Sequence, residues 1–194
     1  MKIIVVGTGF VGLTHAAVCS EYGHEVYAYD IDRHRIEAYR SCHPEAIEHY
    51  VHEPGLTSII LENHGRYLFF VDDIETVIEG TDALFLCLPT PPKPDGSSDL
   101  SYYFAAVRHL AELLARRRDQ RRVVVINKST VPIGTARQLE RVLREHNVPN
   151  AGVASNPEFL PEGDAVEKSR RPDRVVVGAD SEEDFRIIRR IYSQ

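Results

Sequence analysis

Predicted strands and helices alternate along the chain. Six short runs rich in apolar and β-branched residues predict strands at residues 2–6, 25–29, 67–71, 83–87, 122–126 and 174–177. Between them, apolar residues repeat at helical spacing and predict helices at about residues 11–22, 33–40, 100–117, 135–146 and 182–192. The runs are nearly continuous, which is typical of strands covered on both faces. The pattern therefore predicts an α/β fold, a doubly wound and mostly parallel sheet with helices on both sides.

Two segments interrupt this alternation. Residues 41–65 form an insertion in which Glu53-Pro54-Gly55 predicts a stop and a turn before another short helix. Residues 88–98, LPTPPKPDGSS, follow the fourth predicted strand, and their four prolines remove backbone donors. Loops at the carboxyl ends of parallel strands line the ligand crevice of such sheets, so we expect this loop beside a binding site.

Residues 7–12 read Gly-Thr-Gly-Phe-Val-Gly, a G-x-G-x-x-G turn between the first predicted strand and the first predicted helix. Gly7 allows a tight turn, Gly9 lets the backbone approach a pyrophosphate, and Gly12 lets the helix pack close to the strand. The helix presents free N–H groups and the positive end of its dipole to an anion. This context predicts a Rossmann-type dinucleotide-binding domain.

Asp30 ends the second predicted strand, 18 residues after Gly12. A carboxylate there accepts hydrogen bonds from ribose hydroxyls and repels a 2′-phosphate, which favours NAD over NADP. Arg33 and Arg35 leave a 2′-phosphate contact open, because a nearby arginine accommodates that group. We interpret Arg33 as a solvated residue of the first helical turn and Arg35 as a candidate for packing against adenine.

Hydroxyl groups follow the fifth predicted strand. Ser129 and Thr130 lie where they can reach a nicotinamide, its ribose or a substrate. The alternative is that these hydroxyls only cap the next helix, for which Pro132 is a start signal and Thr135 a candidate N-cap. Both interpretations stay open at this point.

Two carboxylates lie close together in residues 156–163, NPEFLPEG. Glu158 and Glu162 share a face if this proline-rich turn is helical. Facing one cleft, two such groups can divide general-base and binding roles. The alternative is a surface turn with solvated acids.

Composition and charge exclude several classes of protein. The 194 residues are 43% hydrophobic and 27% charged, unlike a disordered or collagen-like chain. A net charge of −6 argues against nucleic acid as a partner. No stretch approaches the roughly 20 uninterrupted apolar residues of a membrane span, so we expect no membrane association. Glycines interrupt the apolar N-terminal run, which argues against a signal peptide.

Cysteine and histidine spacing fits no metal site or disulfide framework. The three cysteines are far apart and form no C-x-x-C pair, which favours a reducing, cytoplasmic location. His43, His49 and His52 cluster near Cys42, but their spacing matches no zinc pattern. We therefore predict no metal.

Seven segments together resemble the N-terminal NAD-binding domain of the UDP-glucose/GDP-mannose dehydrogenase family. In order they are GTGFVGL, YDIDRHRI, EPGL, CLPTPPKPDGSSDLSY, KSTVPIGT, NPEFLPEG and PDRVVVG. Family members oxidise the C6 alcohol of a sugar nucleotide to a carboxylate with two NAD molecules. The resemblance implies NAD as cofactor and a homodimer for the full-length form. Among substrates we favour UDP-glucose, the commonest in the family, with GDP-mannose or another UDP-sugar as alternatives.

The resemblance also implies roles for single residues. The implied cofactor-binding residues are Gly7, Gly9, Phe10, Val11, Gly12, Asp30, Arg35, Thr90, Thr130 and Glu162. The implied substrate-binding residues are Glu158, Phe159, Leu160 and Glu162. The implied catalytic residues are Thr130, which helps position a water, and Glu158, the general base.

The chain departs from the family pattern at its catalytic centre. The family's nucleophilic cysteine, in a G-x-C-x-x-K-D segment, and its catalytic lysine and asparagine have no counterpart among the 194 residues. The cysteines here lack the required neighbours, so we interpret them as packing residues. We therefore expect residues 1–194 to be a single domain of a longer enzyme, inactive without the family's linker helix and C-terminal domain. A complete, non-catalytic NAD-binding module is the alternative.

Overall fold

The computed structural model describes residues 1–119 and 121–193. Its strands are β1 (Lys2–Val6), β2 (Glu25–Tyr29), β3 (Leu68–Val71), β4 (Ala83–Leu86), β5 (Val123–Asn127), β6 (Ala151–Ser155) and β7 (Gly178–Ala179). They form one sheet in the order β3-β2-β1-β4-β5-β6-β7. Every neighbouring pair is parallel except β6 and β7. The predicted doubly wound, mostly parallel α/β sheet is confirmed.

Helices cover both faces of the sheet. They are α1 (Phe10–Glu21), α2 (Arg33–Arg40), α3 (Pro44–Tyr50), α4 (Leu56–Asn63), α5 (Ser101–Ala115), α6 (Thr135–Glu145), α7 (Ala165–Arg170) and α8 (Glu182–Tyr192), with a 3-10 turn at Glu75–Val77. Ile3 and Val5 of β1 belong to the core that includes side chains of α1 and α4, whereas Ile4 and Val6 belong to the core with α5 and α6. All four are buried, which explains the continuous hydrophobic run of this strand.

The predicted strand at residues 174–177 is wrong. Val175 and Val176 stay 39% and 42% exposed, and the Val176 carbonyl accepts a hydrogen bond from Asn156 Nδ2 at 2.9 Å. The sheet edge is instead the two-residue β7, antiparallel to β6. The β-branched residues led to the prediction of a strand. However, β-propensity reflects side-chain packing on a partly buried sheet, and these side chains are not packed in that way.

β6 was not predicted from the sequence, because its residues, AGVAS, include few large β-branched side chains. Its glycine serves the packing of α8 on the sheet. A Cβ at Gly152 would lie 2.2 Å from the Asp184 carboxylate, which occupies that space and accepts two hydrogen bonds from Arg122 at 2.8 Å. The low strand propensity of this segment is therefore explained by a side chain from another element.

The helix predicted at residues 135–146 begins where expected, but its predicted N-cap needs correction. Gly134, with φ +93°, is the N-cap of α6, and Thr135 is its first residue. Thr135 Oγ1 donates to the Pro132 carbonyl at 2.8 Å, so Pro132 lies outside the helix. α3 and α7, both of seven residues or fewer, were not predicted. Among the described residues no helix is long and apolar enough to cross a bilayer.

Candidate functional site

The glycine turn lies where the strand order reverses. β1 pairs with β2 on one side and with β4 on the other, so the loops that follow β1 and β4 diverge and leave a crevice. Gly7 has φ +92°, and a Cβ there would lie 2.3 Å from the Cys87 carbonyl oxygen. A Cβ at Gly12 would lie 1.8 Å from the Gly7 carbonyl oxygen. These two glycines are required by the close packing of turn, strand and helix.

Gly9 differs from its two neighbours. A Cβ there would meet nothing within 4 Å, and its φ of −72° is open to any residue. Gly9 is the N-cap of α1, so the first turn of α1 has no side-chain cap and no acidic residue. The open space and the free N–H groups together form an anion-binding surface.

The crevice is a cleft of about 840 Å³. It is lined by most of the site residues predicted from the sequence, namely Gly7, Gly9, Phe10, Val11, Gly12, Asp30, Arg35, Thr90, Thr130 and Glu158. One face of α5 forms another wall with Tyr102, Ala105, Ala106 and His109, which the sequence analysis missed. Their spacing of three or four residues is the signal that places them on one helix face.

Asp30 organises the adenosine end of the cleft. Its Oδ2 accepts hydrogen bonds from Thr8 N at 2.7 Å, Thr8 Oγ1 at 2.9 Å and Arg35 Nη1 at 3.1 Å. Its Oδ1 accepts one, from Asp32 N at 3.0 Å, and retains a lone pair for a further donor. Asp30 thus anchors the glycine turn and can still accept a hydrogen bond from a ligand.

Arg35 is held from two sides. Besides its bond to Asp30, its guanidinium lies 5.4 Å from the centroid of the Tyr50 ring. Tyr39, next to Tyr50, donates from its hydroxyl to the Thr8 carbonyl at 2.9 Å, and burial raises the pKa of this phenol. The insertion that carries Tyr50 therefore supports the arginine at the rim of the cleft.

The hydroxyl residues after β5 tie two loops together. Ser129 Oγ accepts from Leu88 N at 2.8 Å and donates to the Leu86 carbonyl at 3.1 Å. Thr90 Oγ1 donates to the Thr130 carbonyl at 2.7 Å. Neither Ser129 nor Thr130 caps α6, so the capping alternative is wrong. The proline-rich loop is held against the segment that carries Thr130.

A second cavity of about 330 Å³ adjoins the cleft. Phe159 and Leu160 lie in its lining, whereas Glu158 borders both spaces. Glu158 Oε2 accepts a hydrogen bond from Leu160 N at 2.6 Å. Glu162 is exposed and lines neither space, so the structure does not bring it together with the other predicted site residues.

A buried carboxylate that the sequence analysis treated only as a turn signal supports this loop. Glu53 is 5% exposed and accepts hydrogen bonds from Gly163 N and Ala165 N, both at 2.7 Å. Asn156 holds the other end, because its Oδ1 accepts from Lys128 Nζ at 3.2 Å and from the Tyr192 hydroxyl. The loop that carries Glu158 is thus fixed at both ends.

The cysteines of the described chain are unsuited to nucleophilic catalysis. Burial raises the pKa of both the Cys19 and the Cys87 thiols to about 12, so neither forms a thiolate near neutral pH. Cys42 Sγ lies 3.3 Å from His64 Nδ1, and Cys42 is not among the residues that line the cleft. No group of three or more potential metal ligands exists among the described residues.

Known proteins match this chain in sequence and structure. The UDP-glucose 6-dehydrogenase of Rhizobium meliloti (strain 1021) is 41% identical over 184 residues, which are 93% of this chain and 40% of that protein. The structure of a UDP-glucose dehydrogenase from Pyrobaculum islandicum superposes with a TM-score of 0.87 and 36% identity, over 98% of this chain and 43% of that one. A ternary complex of GDP-mannose dehydrogenase from Pseudomonas aeruginosa gives a TM-score of 0.90 and 27% identity, over 99% and 44%.

The chain spans about two fifths of the length of these relatives. The family model described as "UDP-glucose/GDP-mannose dehydrogenase family, NAD binding domain" matches residues 1–194. The cofactor of this domain is NAD, in agreement with the prediction from Asp30. The glycine turn, the cleft at the strand reversal and these matches lead to one conclusion: the chain belongs to the UDP-glucose/GDP-mannose dehydrogenase family of NAD-dependent oxidoreductases, as its NAD-binding domain.

Proposed function

We propose that this chain is the NAD-binding part of a sugar-nucleotide 6-dehydrogenase that oxidises UDP-glucose to UDP-glucuronate in two hydride transfers. The observation that carries the proposal is that one cleft joins an anion-binding turn, the Asp30 carboxylate and the Glu158 carboxylate. The choice of UDP-glucose is supported by 41% and 36% identity to UDP-glucose dehydrogenases, against 27% to a GDP-mannose dehydrogenase.

The residues present fit NAD. The backbone N–H groups at Gly9–Gly12 would hold the pyrophosphate, since the space beside Gly9 is open. Asp30 Oδ1 would accept from the adenosine ribose, with Arg35 beside it. Thr90 and Thr130 line the same cleft as Glu158 and would contact the nicotinamide end. When bound, NAD takes up the hydride that leaves C6 of the sugar.

Glu158 would act as the general base. Its Oε2 is held by the Leu160 amide, which leaves Oε1 free to accept the proton of the C6 hydroxyl as the carbonyl forms. Thr130 would help position the water that later hydrolyses a covalent intermediate. Phe159 and Leu160, which line the adjoining cavity, would contact the sugar nucleotide, whereas Glu162 lines neither space and is assigned no contact. In this proposal the nucleophilic cysteine comes from outside these 194 residues.

Turnover measurements test the proposal. The full-length polypeptide should form two NADH per UDP-glucose, with GDP-mannose and NADP as the comparison substrate and cofactor. Residues 1–194 alone should bind NAD and form no NADH. Absence of NADH formation from any sugar nucleotide by the full-length polypeptide would contradict the enzyme. Steady NADH formation by residues 1–194 alone would contradict the proposed need for a nucleophilic cysteine from outside these residues.

A non-catalytic NAD-binding module is the second candidate. It is favoured by the Cys19 and Cys87 thiols, whose pKa burial raises to about 12, so neither of these two cysteines supplies a thiolate nucleophile near neutral pH. The reading frame after Gln194 distinguishes the two candidates. A stop codon favours the module, whereas a continuing frame with a G-x-C-x-x-K-D segment favours the enzyme.

A further inference from the structure

Lys128 lies at the junction of the two spaces. It follows the last residue of β5, at the carboxyl edge of the sheet. Of the residues in the described part of the chain, Lys128 and Glu158 are the two that border both the large cleft and the second cavity. A ligand that occupies both spaces would therefore have a cationic and an anionic side chain in the wall of each.

The ammonium group of Lys128 is buried but incompletely bonded. The residue is 7% exposed, and Nζ donates to Asn156 Oδ1 at 3.2 Å. An ammonium carries three N–H donors, and Asn156 supplies the one acceptor found for it within residues 1–119 and 121–193. A buried cation with spare donors is costly unless further acceptors reach it, so this group has capacity for an oxygen ligand.

Asn156 keeps the ammonium in place. Its Oδ1 also accepts from the Tyr192 hydroxyl, and its Nδ2 donates to the Val176 carbonyl at 2.9 Å. The amide is therefore fixed in orientation, and a fixed donor costs little reorganisation when charge develops nearby. This arrangement is not explained by packing alone, because an apolar side chain fills such a position at lower cost.

The surroundings of Lys128 tune its charge. Burial lowers the pKa of the ammonium, whereas the Glu158 carboxylate opposes that shift. His15 on α1 also faces it, and the lysine helps to keep the pKa of that imidazole low. Glu158 is the anionic residue among these groups and borders the same two spaces, so a proton acceptor and a cation face both the cleft and the second cavity.

We propose that Lys128 is a catalytic residue that donates a hydrogen bond to the oxygen on C6 of the sugar nucleotide. The inference rests on the proposed function. As the C6–H bond breaks, its electron pair leaves with the hydrogen as hydride to NAD, and the hydroxyl proton passes to Glu158. The C6–O bond becomes a carbonyl. Lys128 keeps all its protons and stabilises the negative charge that develops on the oxygen.

Binding of the carboxylate product tests this without turnover. UDP-glucuronate places an anionic oxygen on C6, whereas UDP-glucose is neutral there. In the full-length enzyme, Lys128→Met should raise the dissociation constant of UDP-glucuronate about tenfold to a hundredfold. This is the loss expected when a hydrogen bond to a charged group is removed. The dissociation constants of NAD and UDP-glucose should change less than about threefold, a difference below 1 kcal/mol.

Two further variants separate this role from a structural one. Lys168 borders the same second cavity but is partly exposed and paired with Asp173 at 3.7 Å, so Lys168→Met should leave UDP-glucuronate affinity unchanged. Lys128→Arg keeps the charge and should restore part of the affinity and of kcat. If Lys128→Met fails to bind NAD, Lys128→Gln replaces it as the neutral variant.

The outcomes distinguish the two proposals. Wild-type enzyme that neither binds nor oxidises UDP-glucose or GDP-mannose overturns the proposed function. Wild-type enzyme that oxidises UDP-glucose, with unchanged UDP-glucuronate affinity in Lys128→Met or Lys128→Gln, overturns the role of Lys128 alone. Equal loss in Lys168→Met also overturns it, because the effect would then be one of net cavity charge.

Discussion

At the residue scale, the three glycines of the turn differ in what a methyl group would meet. At Gly12 it would collide with the backbone oxygen of Gly7, within the protein itself. At Gly9 it would meet no protein atom within 4 Å. The motif therefore contains two glycines needed for folding, Gly7 and Gly12, and one needed for ligand approach, Gly9, a distinction that the sequence motif alone cannot make.

We predict opposite effects for two alanine substitutions. Gly12→Ala should destabilise the fold by about 1–3 kcal/mol, because overpacking forces the backbone apart. Gly9→Ala should keep the wild-type melting temperature but weaken the binding of NAD at least about tenfold, because its methyl group would occupy the space that the pyrophosphate needs. Thermal unfolding and calorimetric titration measure the two effects. Normal NAD affinity in a folded Gly9→Ala variant would contradict this role.

At the element scale, most of the sheet was predictable because β1, β4 and β5 are buried on both faces. Their apolar runs signal strands without tertiary information. β6 was not predictable, because its glycine makes room for Asp184, which lies some thirty residues away. Short helices such as α7 also carry little signal, since contacts with other elements stabilise them.

In the site, too, some features were predictable from local sequence and others depend on packing between distant elements. The residues of the glycine turn and Asp30 follow one another in a local strand–turn–helix–strand unit, so their shared cleft was predictable. Glu53 supports a loop 110 residues away, and Lys128 bonds Asn156 across two strands. Such contacts depend on how the elements pack against one another, so a local pattern in a single sequence cannot predict them.

Glu53 couples the insertion to the carboxylate loop, which gives a prediction at this scale. Glu53→Gln replaces one acceptor by an amide donor facing a backbone N–H, which should cost roughly 1–3 kcal/mol. The melting temperature should fall by about 2–4 °C per kcal/mol for a chain of this size. Glu62→Gln, an exposed change on α4, is the control and should leave the melting temperature unchanged. An unchanged melting temperature in Glu53→Gln would refute the anchoring role.

At the scale of the whole molecule, buried histidines make stability depend on pH. Burial, with a contribution from Lys128, holds the pKa of His15 well below its ordinary value of 6.5. Burial also lowers the pKa of His24. The unfolded chain protonates such a histidine near pH 6.5, whereas the folded chain does so only at lower pH. Its contribution to the free energy of unfolding is therefore fully present above pH 6.5 and is lost as the pH falls through the folded-state pKa.

The melting temperature should therefore fall as the pH is lowered from 7 to 5. Part of this fall should disappear in His15→Phe, which keeps an aromatic ring against Phe85 but cannot be protonated. His34→Phe is the control, because His34 is exposed. The same pH dependence in His15→Phe as in wild type would show that burial of this imidazole does not drive the effect.

The cleft at the strand reversal should hold NAD, with Asp30 at its adenosine end. Calorimetric titration of wild type, Asp30→Ala and the control Asp72→Ala tests it most directly. Asp72 directly follows the neighbouring strand β3 but does not line the cleft. We predict tighter binding of NAD than of NADP, at least about tenfold weaker NAD binding in Asp30→Ala, and no change in Asp72→Ala. Unchanged NAD affinity in Asp30→Ala would contradict the account.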